Sequence, residues 1–198
     1  PEFLDASLEA IGVPVDLRIT AAEAGSYKPA HEHWERFFEQ TGAERERHVV
    51  AADDLRENAR GLEYYDVGSI EVSHDNRLLA FTEDAVGRRQ YTLRFKSLVT
   101  GELLPDVVPN VEEGVAWAAD NRRVLYVEKD PVTLLGLRVR VHELGTDPAR
   151  DPVVHEEEDE AFYTSVGLTK DRRYLLIESS STITTEVRYA SLDDPALA

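Results

Sequence analysis

The stretch from Val72 to Phe81 has the sequence VSHDNRLLAF, and its pattern occurs twice more, from Trp117 to Tyr126 (WAADNRRVLY) and from Leu168 to Ile177 (LTKDRRYLLI). In each copy a strand leads into a polar turn that contains an aspartate, and an apolar strand follows. The three aspartates, at positions 75, 120 and 171, are 45 and then 51 residues apart. A repeat of this length with several strands per copy is typical of β-propeller blades.

Turn residues and alternating apolar residues predict a mainly β chain, with about three propeller blades at residues 64–108, 111–158 and 161–198. The predicted strands are Ser69–Ser73, Arg77–Glu83, Gln90–Leu98 and Glu102–Val108, then Gly114–Ala118, Arg123–Glu128, Leu137–Leu144 and Val153–Glu156, and finally Tyr163–Leu168, Tyr174–Glu178 and Glu186–Leu192. The third blade is expected to have only three strands, because the chain stops before a fourth.

The first part of the chain has a different texture. Residues 1–52 combine helical spacing of apolar residues with short alternating runs, which predicts a short α/β segment. Residues 53–63 form a charged junction that leads into the β region at residues 64–198. We expect two pieces of different origin, joined near residues 50–62, either as a natural fusion or as a mis-joined product.

Two motifs in the first segment carry a resemblance. The runs Gly12–Thr20 and Gly25–Pro29 resemble the haloacid dehalogenase family of α/β hydrolases. In that family a lysine before a proline neutralises negative charge around a nucleophilic aspartate, and Lys28 matches this position. No aspartate matches the nucleophile, since neither Asp5 nor Asp16 stands in the required motif, so the resemblance implies only a remnant of such a hydrolase.

Composition limits the classes of partner and cofactor. The net charge of −17 disfavours a nucleic-acid partner, because an acidic surface repels phosphates. There is no Cys, so thiolate metal sites and cysteine nucleophiles are excluded, and a cytoplasmic location is expected. No run of 18 apolar residues occurs and the start lacks signal-peptide features, so we expect neither a membrane partner nor secretion. No cofactor is indicated.

Several groups of polar residues are candidates for a site. His31 and His33 are two apart on a predicted helix and point to different sides, so they do not predict a metal site. His142 lies on a strand, where packing at an edge is expected. The run Glu156–Glu160 is expected to be a solvated loop, because adjacent carboxylates converge poorly on one ion. The Ser- and Thr-rich run Ser179–Thr185 is expected to be an edge hairpin.

Separate motifs in the β region carry a second resemblance. They resemble the propeller of the oligopeptidase B branch of the prolyl oligopeptidase family of serine peptidases, from about residue 54 to the end of the chain. The motifs are Tyr64–Gly68, Arg89–Phe95, Lys129–Leu135, His142–Thr146, Glu157–Tyr163, Ser179–Ser181 and Thr184–Arg188. In that family a seven-bladed propeller covers an α/β-hydrolase domain and admits short peptides, which are cleaved after Arg or Lys by a Ser-Asp-His triad.

This second resemblance implies the gating portion of a peptidase without its catalytic centre. The chain has no Gly-x-Ser-x-Gly sequence, so we expect no catalytic residue in it and no activity of this chain alone. It implies short basic peptides as partners, through the catalytic domain, and another chain that completes the propeller. It assigns no substrate-binding residue. Two alternatives stay open: a dehalogenase remnant, and a β interaction module without catalysis.

Overall fold

The computed structural model describes Glu39, residues 58–192 and Asp194. The chain divides into two compact units, Pro1–Asp53 and Asp54–Ala198. Apart from Glu39, which is helical and exposed, the expected α/β segment at residues 1–52 lies outside the described residues, and so do Lys28, His31 and His33. The resemblance to the dehalogenases therefore stays a prediction.

The second unit is built from antiparallel strands, which confirms the mainly β prediction. Its strands are β1 (Asp66–Val72), β2 (Leu78–Asp84), β3 (Tyr91–Ser97), β4 (Leu103–Trp117), β5 (Arg123–Lys129), β6 (Gly136–Glu143), β7 (Val153–Glu156), β8 (Tyr163–Leu168), β9 (Tyr174–Ser180) and β10 (Thr185–Ser191). A short 3-10 turn, Pro148–Arg150, connects β6 to β7.

The strands form three consecutive meanders, as a partial propeller requires. One sheet has the order β1 to β7, and a second has the order β10-β9-β8. The first half of β4 pairs with β3 and its second half pairs with β5, so β4 ends one blade and begins the next. The third blade has three strands among the described residues, and β10 is its outer edge.

Strand β4 corrects the sequence prediction, which placed two strands here, Glu102–Val108 and Gly114–Ala118. The structure has one strand of 15 residues. Pro105 and Pro109 fit within it because each lies where the register with β3 shifts and neither has a partner there, as is usual for proline at an irregularity of a sheet. Asn110 has a φ of 61°, and the pairing register shifts around it, which lets the strand change partners without ending.

The three turns predicted from the repeat share one set of hydrogen bonds. The aspartate of each turn, at 75, 120 or 171, accepts the amide hydrogen two residues later. The next residue has a left-handed backbone each time, with φ of 59° at Asn76, 56° at Asn121 and 55° at Arg172. The repeat in the sequence is therefore a repeat in local structure.

Two apolar clusters hold neighbouring blades together. Side chains on β5 alternate between them, as the period of two along a strand requires. Val124 and Tyr126 face the cluster shared with the first blade, which includes Phe95 and Trp117. Leu125 and Val127 face the cluster shared with the third blade, which includes Val139, Val166 and Leu175. The second blade is thus buried on both faces, and its neighbours are fixed against it.

Candidate functional site

A cleft lies where the first strands of the three blades approach each other. Strand β1 contacts the second half of β4, and β4 contacts β8. The cleft between them has a volume of about 240 Å³, and its lining includes Ser69, Glu71, Gly114 and Gly167 together with Lys170 and Arg172 from the third turn. This is the inner side of the blades, the side that faces the central channel of a propeller.

The backbone of β1 approaches β4 closely at Gly68. A Cβ atom built on Gly68 would lie 2.6 Å from Cβ of Glu113 and 2.8 Å from the Tyr91 ring. The Thr82 hydroxyl, which accepts the Ser69 amide hydrogen, donates to the Glu113 carbonyl at 2.8 Å, and so joins the same two strands. Glycine at this position therefore sets the spacing of one wall of the cleft.

The charged groups of the cleft are one carboxylate and two cations. Burial raises the pKa of Glu71, and the positive charge of Arg172 acts in the opposite direction. The ion pairs found among the described residues include neither Lys170 nor Arg172, although the charge of Arg172 acts on Glu71. The cleft therefore has a net positive charge within an acidic protein, and can attract an anionic group.

Arg172 departs from the pattern of the other two blades. At the matching position Asn121 accepts the amide hydrogen of Asp75 at 3.1 Å and ties the second turn to the first. An arginine side chain has no acceptor and cannot make such a bond. Arginine is also a poorer choice than asparagine for a left-handed backbone. At the edge of the cleft, the third turn thus has an arginine in a backbone conformation that asparagine, the residue of the other two turns, adopts at a lower cost in free energy.

A second cluster is buried between the first two blades. His142 on β6 is fully buried, and its ring lies between two carboxylates. Its Nδ1 is 3.0 Å from Oδ2 of Asp151, and its Nε2 is 3.2 Å from Oδ1 of Asp106. The Tyr126 hydroxyl donates to Asp151 at 3.0 Å, and the ring of Phe95 stacks on the imidazole with centroids 5.7 Å apart.

This cluster joins the blades and has no open side for a substrate. Burial raises the pKa of Asp151, although the contacts with His142 and Tyr126 oppose it. Burial, together with the Asp151 charge and hydrogen bond, also raises the pKa of Tyr126. A carboxylate beside an imidazole is a familiar catalytic pairing, but here each polar group is engaged within the interface. We therefore assign it a structural role.

The family model for the prolyl oligopeptidase N-terminal beta-propeller domain matches residues 40–197. The chain belongs to the prolyl oligopeptidase family. The cleft is thus on the inner side of a prolyl oligopeptidase-type propeller, and the resemblance found in the sequence motifs is confirmed.

Curated relatives of this propeller are peptidases. Over 144 residues it is 48% identical to dipeptidyl aminopeptidase BI of Pseudoxanthomonas mexicana. The matched segment covers 73% of this chain and 20% of that protein. Over 148 residues it is 31% identical to protease 2 of Moraxella lacunata, covering 72% and 21% respectively. The chain thus spans about a fifth of the length of these relatives.

A solved structure agrees with this family. Oligopeptidase B from Leishmania major superposes with a TM-score of 0.67 at 28% identity, covering 71% of this chain and 20% of that one. The fold and the order of the blades therefore follow those of an oligopeptidase propeller.

Three further candidates from the sequence lie in this propeller: an acidic run, a Ser- and Thr-rich run and His142. Residues Glu156–Glu160 end β7 and enter the connection to β8, and all but the half-buried Glu157 are exposed, as expected for a solvated loop. Ser179–Thr185 spans the hairpin between β9 and β10, and β10 is an edge strand, also as expected. His142 was expected to pack at an edge, which is wrong, because β6 is an inner strand of its blade and β5 and β7 flank it.

Sequence reasoning did not find the cleft or the buried cluster. The residues of each come from distant positions: Glu71 and Arg172 are separated by about half of the chain. The one available signal was the Arg at the position where the other two turns have Asn. Over the described residues, no group of three or more His, Asp or Glu side chains is arranged to hold a metal ion. No helix among them is long and apolar enough to cross a bilayer.

Proposed function

We propose that this chain is the substrate-gating part of a serine oligopeptidase that cleaves short peptides after Arg or Lys, and that the chain itself supplies no catalytic triad. The family match over residues 40–197 carries this proposal. The peptidase names of the curated relatives and the oligopeptidase B fold support it. The absence of a Gly-x-Ser-x-Gly sequence supports a separate location for the nucleophile.

Charge supports the preference for basic peptides. The chain has 39 acidic and 22 Lys and Arg residues, so its field attracts cations over the distance of a Debye length. A peptide with Arg or Lys is therefore concentrated near the propeller, while its catalytic cleavage takes place in another domain. The expected partners are short basic peptides and a chain or domain that completes the propeller.

A chimera tests the gating role. The matching 144-residue segment of dipeptidyl aminopeptidase BI is replaced by that of this chain, and hydrolysis is measured on short Arg or Lys peptides and on a folded protein that contains the same sequences. The chimera should cleave the peptides and spare the folded protein. Its control is a parent that lacks the segment, which should lose this selection by size. A chimera that digests the folded protein as fast as this control would contradict gating.

The chain alone tests the missing triad. The purified 198-residue chain should release no product from short Arg or Lys peptides. Turnover that survives a second purification and stops with a serine-reactive inhibitor would show a catalytic centre within the chain.

A further inference from the structure

We propose that the cleft between β1, β4 and β8 binds a carboxylate of the peptide that enters the propeller, with Lys170 and Arg172 as its ligands. This inference rests on the proposed function, because it names the part of the substrate that the inner side of the propeller recognises. The ligand is a carboxylate at the end of a peptide or on an acidic side chain, and the experiment distinguishes these two sources.

The cations of the cleft are available for such a ligand. Neither Lys170 nor Arg172 takes part in an ion pair within the described part of the chain. An arginine guanidinium presents two parallel N–H groups that match the two oxygens of a carboxylate, and the lysine ammonium adds a second positive charge. Two cations therefore line one small volume that contains a single acidic group.

The acidic group of the cleft is compatible with this ligand. Burial disfavours the charged form of Glu71, and Arg172 partly compensates its charge. The sum over Lys170, Arg172 and ionised Glu71 is one positive charge. The carboxylate of Glu71 accepts hydrogen bonds only, so it suits an amide N–H of a peptide. The cleft thus has donors for a carboxylate and an acceptor for the amide beside it.

The size of the cleft suits the end of a peptide. Its volume of about 240 Å³ is below the range of about 300–1,000 Å³ that encloses a whole drug-sized ligand. Gly114 and Gly167 leave the floor without side chains, and a Cβ on Gly167 would meet no atom within 4 Å. One or two residues of an extended peptide fit this space.

The local backbone gives an independent argument. Arg172 has a φ of 55°, where the other two blades have asparagine. A residue kept in an unfavourable backbone region points to a function for its side chain. The repeat offers a direct comparison: Arg172→Asn restores the residue type of the other turns and removes the cation. A ligand role predicts that this substitution raises thermal stability and weakens binding together.

The test uses the ¹⁵N-labelled 198-residue chain and short peptides that contain no basic group. Acetyl-Ala-Ala with a free carboxylate, the same peptide as an amide, and acetyl-Ala-Glu-amide are titrated, and the shifts of the Gly114 and Gly167 amide signals are followed. Saturable shifts with the free carboxylate but not with the amide are expected. Equal binding of acetyl-Ala-Glu-amide would show that a side-chain carboxylate serves as well, and no binding of it would assign the site to the peptide end.

Variants separate the site from general charge effects. Arg172→Asn and Lys170→Gln should each weaken binding at least about tenfold, the range expected for a lost charge-assisted hydrogen bond. Arg150→Gln is the matched control, because this side chain is 88% exposed on the turn between β6 and β7. Arg172→Asn should also raise the melting temperature. Binding that survives both cleft variants would overturn the proposal.

Further outcomes are decisive as well. No saturable shift with any carboxylate peptide would overturn the proposal, and so would inorganic phosphate that binds as tightly as the peptide, since the cleft would then recognise any anion. A chimera that gates normally while the cleft binds nothing would remove this inference alone. Carboxylate binding together with a chimera that digests folded protein would instead remove the gating function.

Discussion

His142 shows how one residue can join two blades. Nδ1 of its ring is 3.0 Å from Asp151 after the 3-10 turn and Nε2 is 3.2 Å from Asp106 on β4, so one side chain bridges two carboxylates. We expect His142→Phe to lower the free energy of unfolding at pH 7 by about 3–5 kcal/mol, because two buried carboxylates lose their common donor. A phenylalanine ring keeps the aromatic contact with Phe95, so the loss reports mainly on the polar contacts with the two carboxylates. Urea unfolding of both proteins measures it.

The pH dependence of this loss provides the control. Burial raises the pKa of Asp151, so this carboxylate takes up a proton as pH falls, and the difference in unfolding free energy between variant and wild type should narrow. Adding Asp106→Asn should recover part of the lost stability by removing one charge. A loss that stays constant between pH 7 and 4 would point to packing rather than to the contacts that the two carboxylates lose with His142.

Asp120 carries a second residue-scale prediction. Burial acts to raise its pKa, but the amides of Arg122 and Arg123, each at 2.9 Å, and the Arg123 guanidinium lower it below the usual 3.8. Since the folded pKa is depressed, its stabilisation is present above pH 3.8 and is lost as pH falls through the folded pKa. Asp120→Asn should cost about 0.5–1.5 kcal/mol at pH 7 and nothing in strong acid.

Urea unfolding across this pH range measures the effect of Asp120→Asn. Glu158→Gln removes one acidic charge from an exposed loop and should leave the unfolding free energy unchanged. A cost for Asp120→Asn that is the same at pH 7 and in strong acid would show that the ionised form contributes nothing.

For most strands, the ends predicted from the sequence lie within one or two residues of the observed ends. The predicted bounds of Val153–Glu156 and Tyr163–Leu168 are the same as the observed bounds. The alternation of apolar and polar residues and the turns that contain Asp are local signals, so a single sequence is enough to detect them. The continuity of β4 was missed because Pro109 and Gly114 are breakers in most strands, and a proline is tolerated here because it lies where the pairing register with β3 shifts. That pairing is a property of the sheet.

Gly68 carries the prediction at the scale of elements. Gly68→Ala should lower the unfolding free energy by about 1–3 kcal/mol, because the new methyl group would overlap Cβ of Glu113 and the Tyr91 ring and push β1 from β4. Gly167→Ala on β8 is the matched control, since its Cβ meets no atom, and should be nearly neutral. Equal effects of the two substitutions in urea unfolding would show that the β1–β4 spacing is not constrained.

For the whole molecule, the order of the blades could be predicted from sequence, but the cleft and the His142 cluster could not. Both depend on which strands become neighbours after folding. Strand β4 of the first sheet contacts β8 of the second sheet, and Asp106 contacts His142 although 36 residues separate them in the chain. The sequence repeat predicts the structure of one blade and the number of blades, whereas the cleft and the His142 cluster lie between blades. Sites of this kind are found from topology rather than from motifs.

The outer face of the third blade has exposed apolar side chains that affect whether the isolated chain self-associates. Tyr163, Val187 and Tyr189 are 67%, 49% and 73% exposed on its three-stranded sheet, and β10 has no further strand beside it among the described residues. Exposed apolar side chains beside an unpaired strand edge favour association between chains. We therefore expect the isolated chain to self-associate as its concentration rises.

Replacing Val187 and Tyr189 together by lysine tests this expectation in sedimentation equilibrium. Lysine on an edge strand opposes strand pairing by repulsion between copies, so the double variant should have a lower average mass than the wild type at equal concentration. Val132→Lys is the matched control, because Val132 is 87% exposed but lies in the turn between β5 and β6, and it should leave the mass unchanged. A wild-type chain that stays monomeric over the whole range, or a double variant that associates equally, would show that this face does not drive assembly.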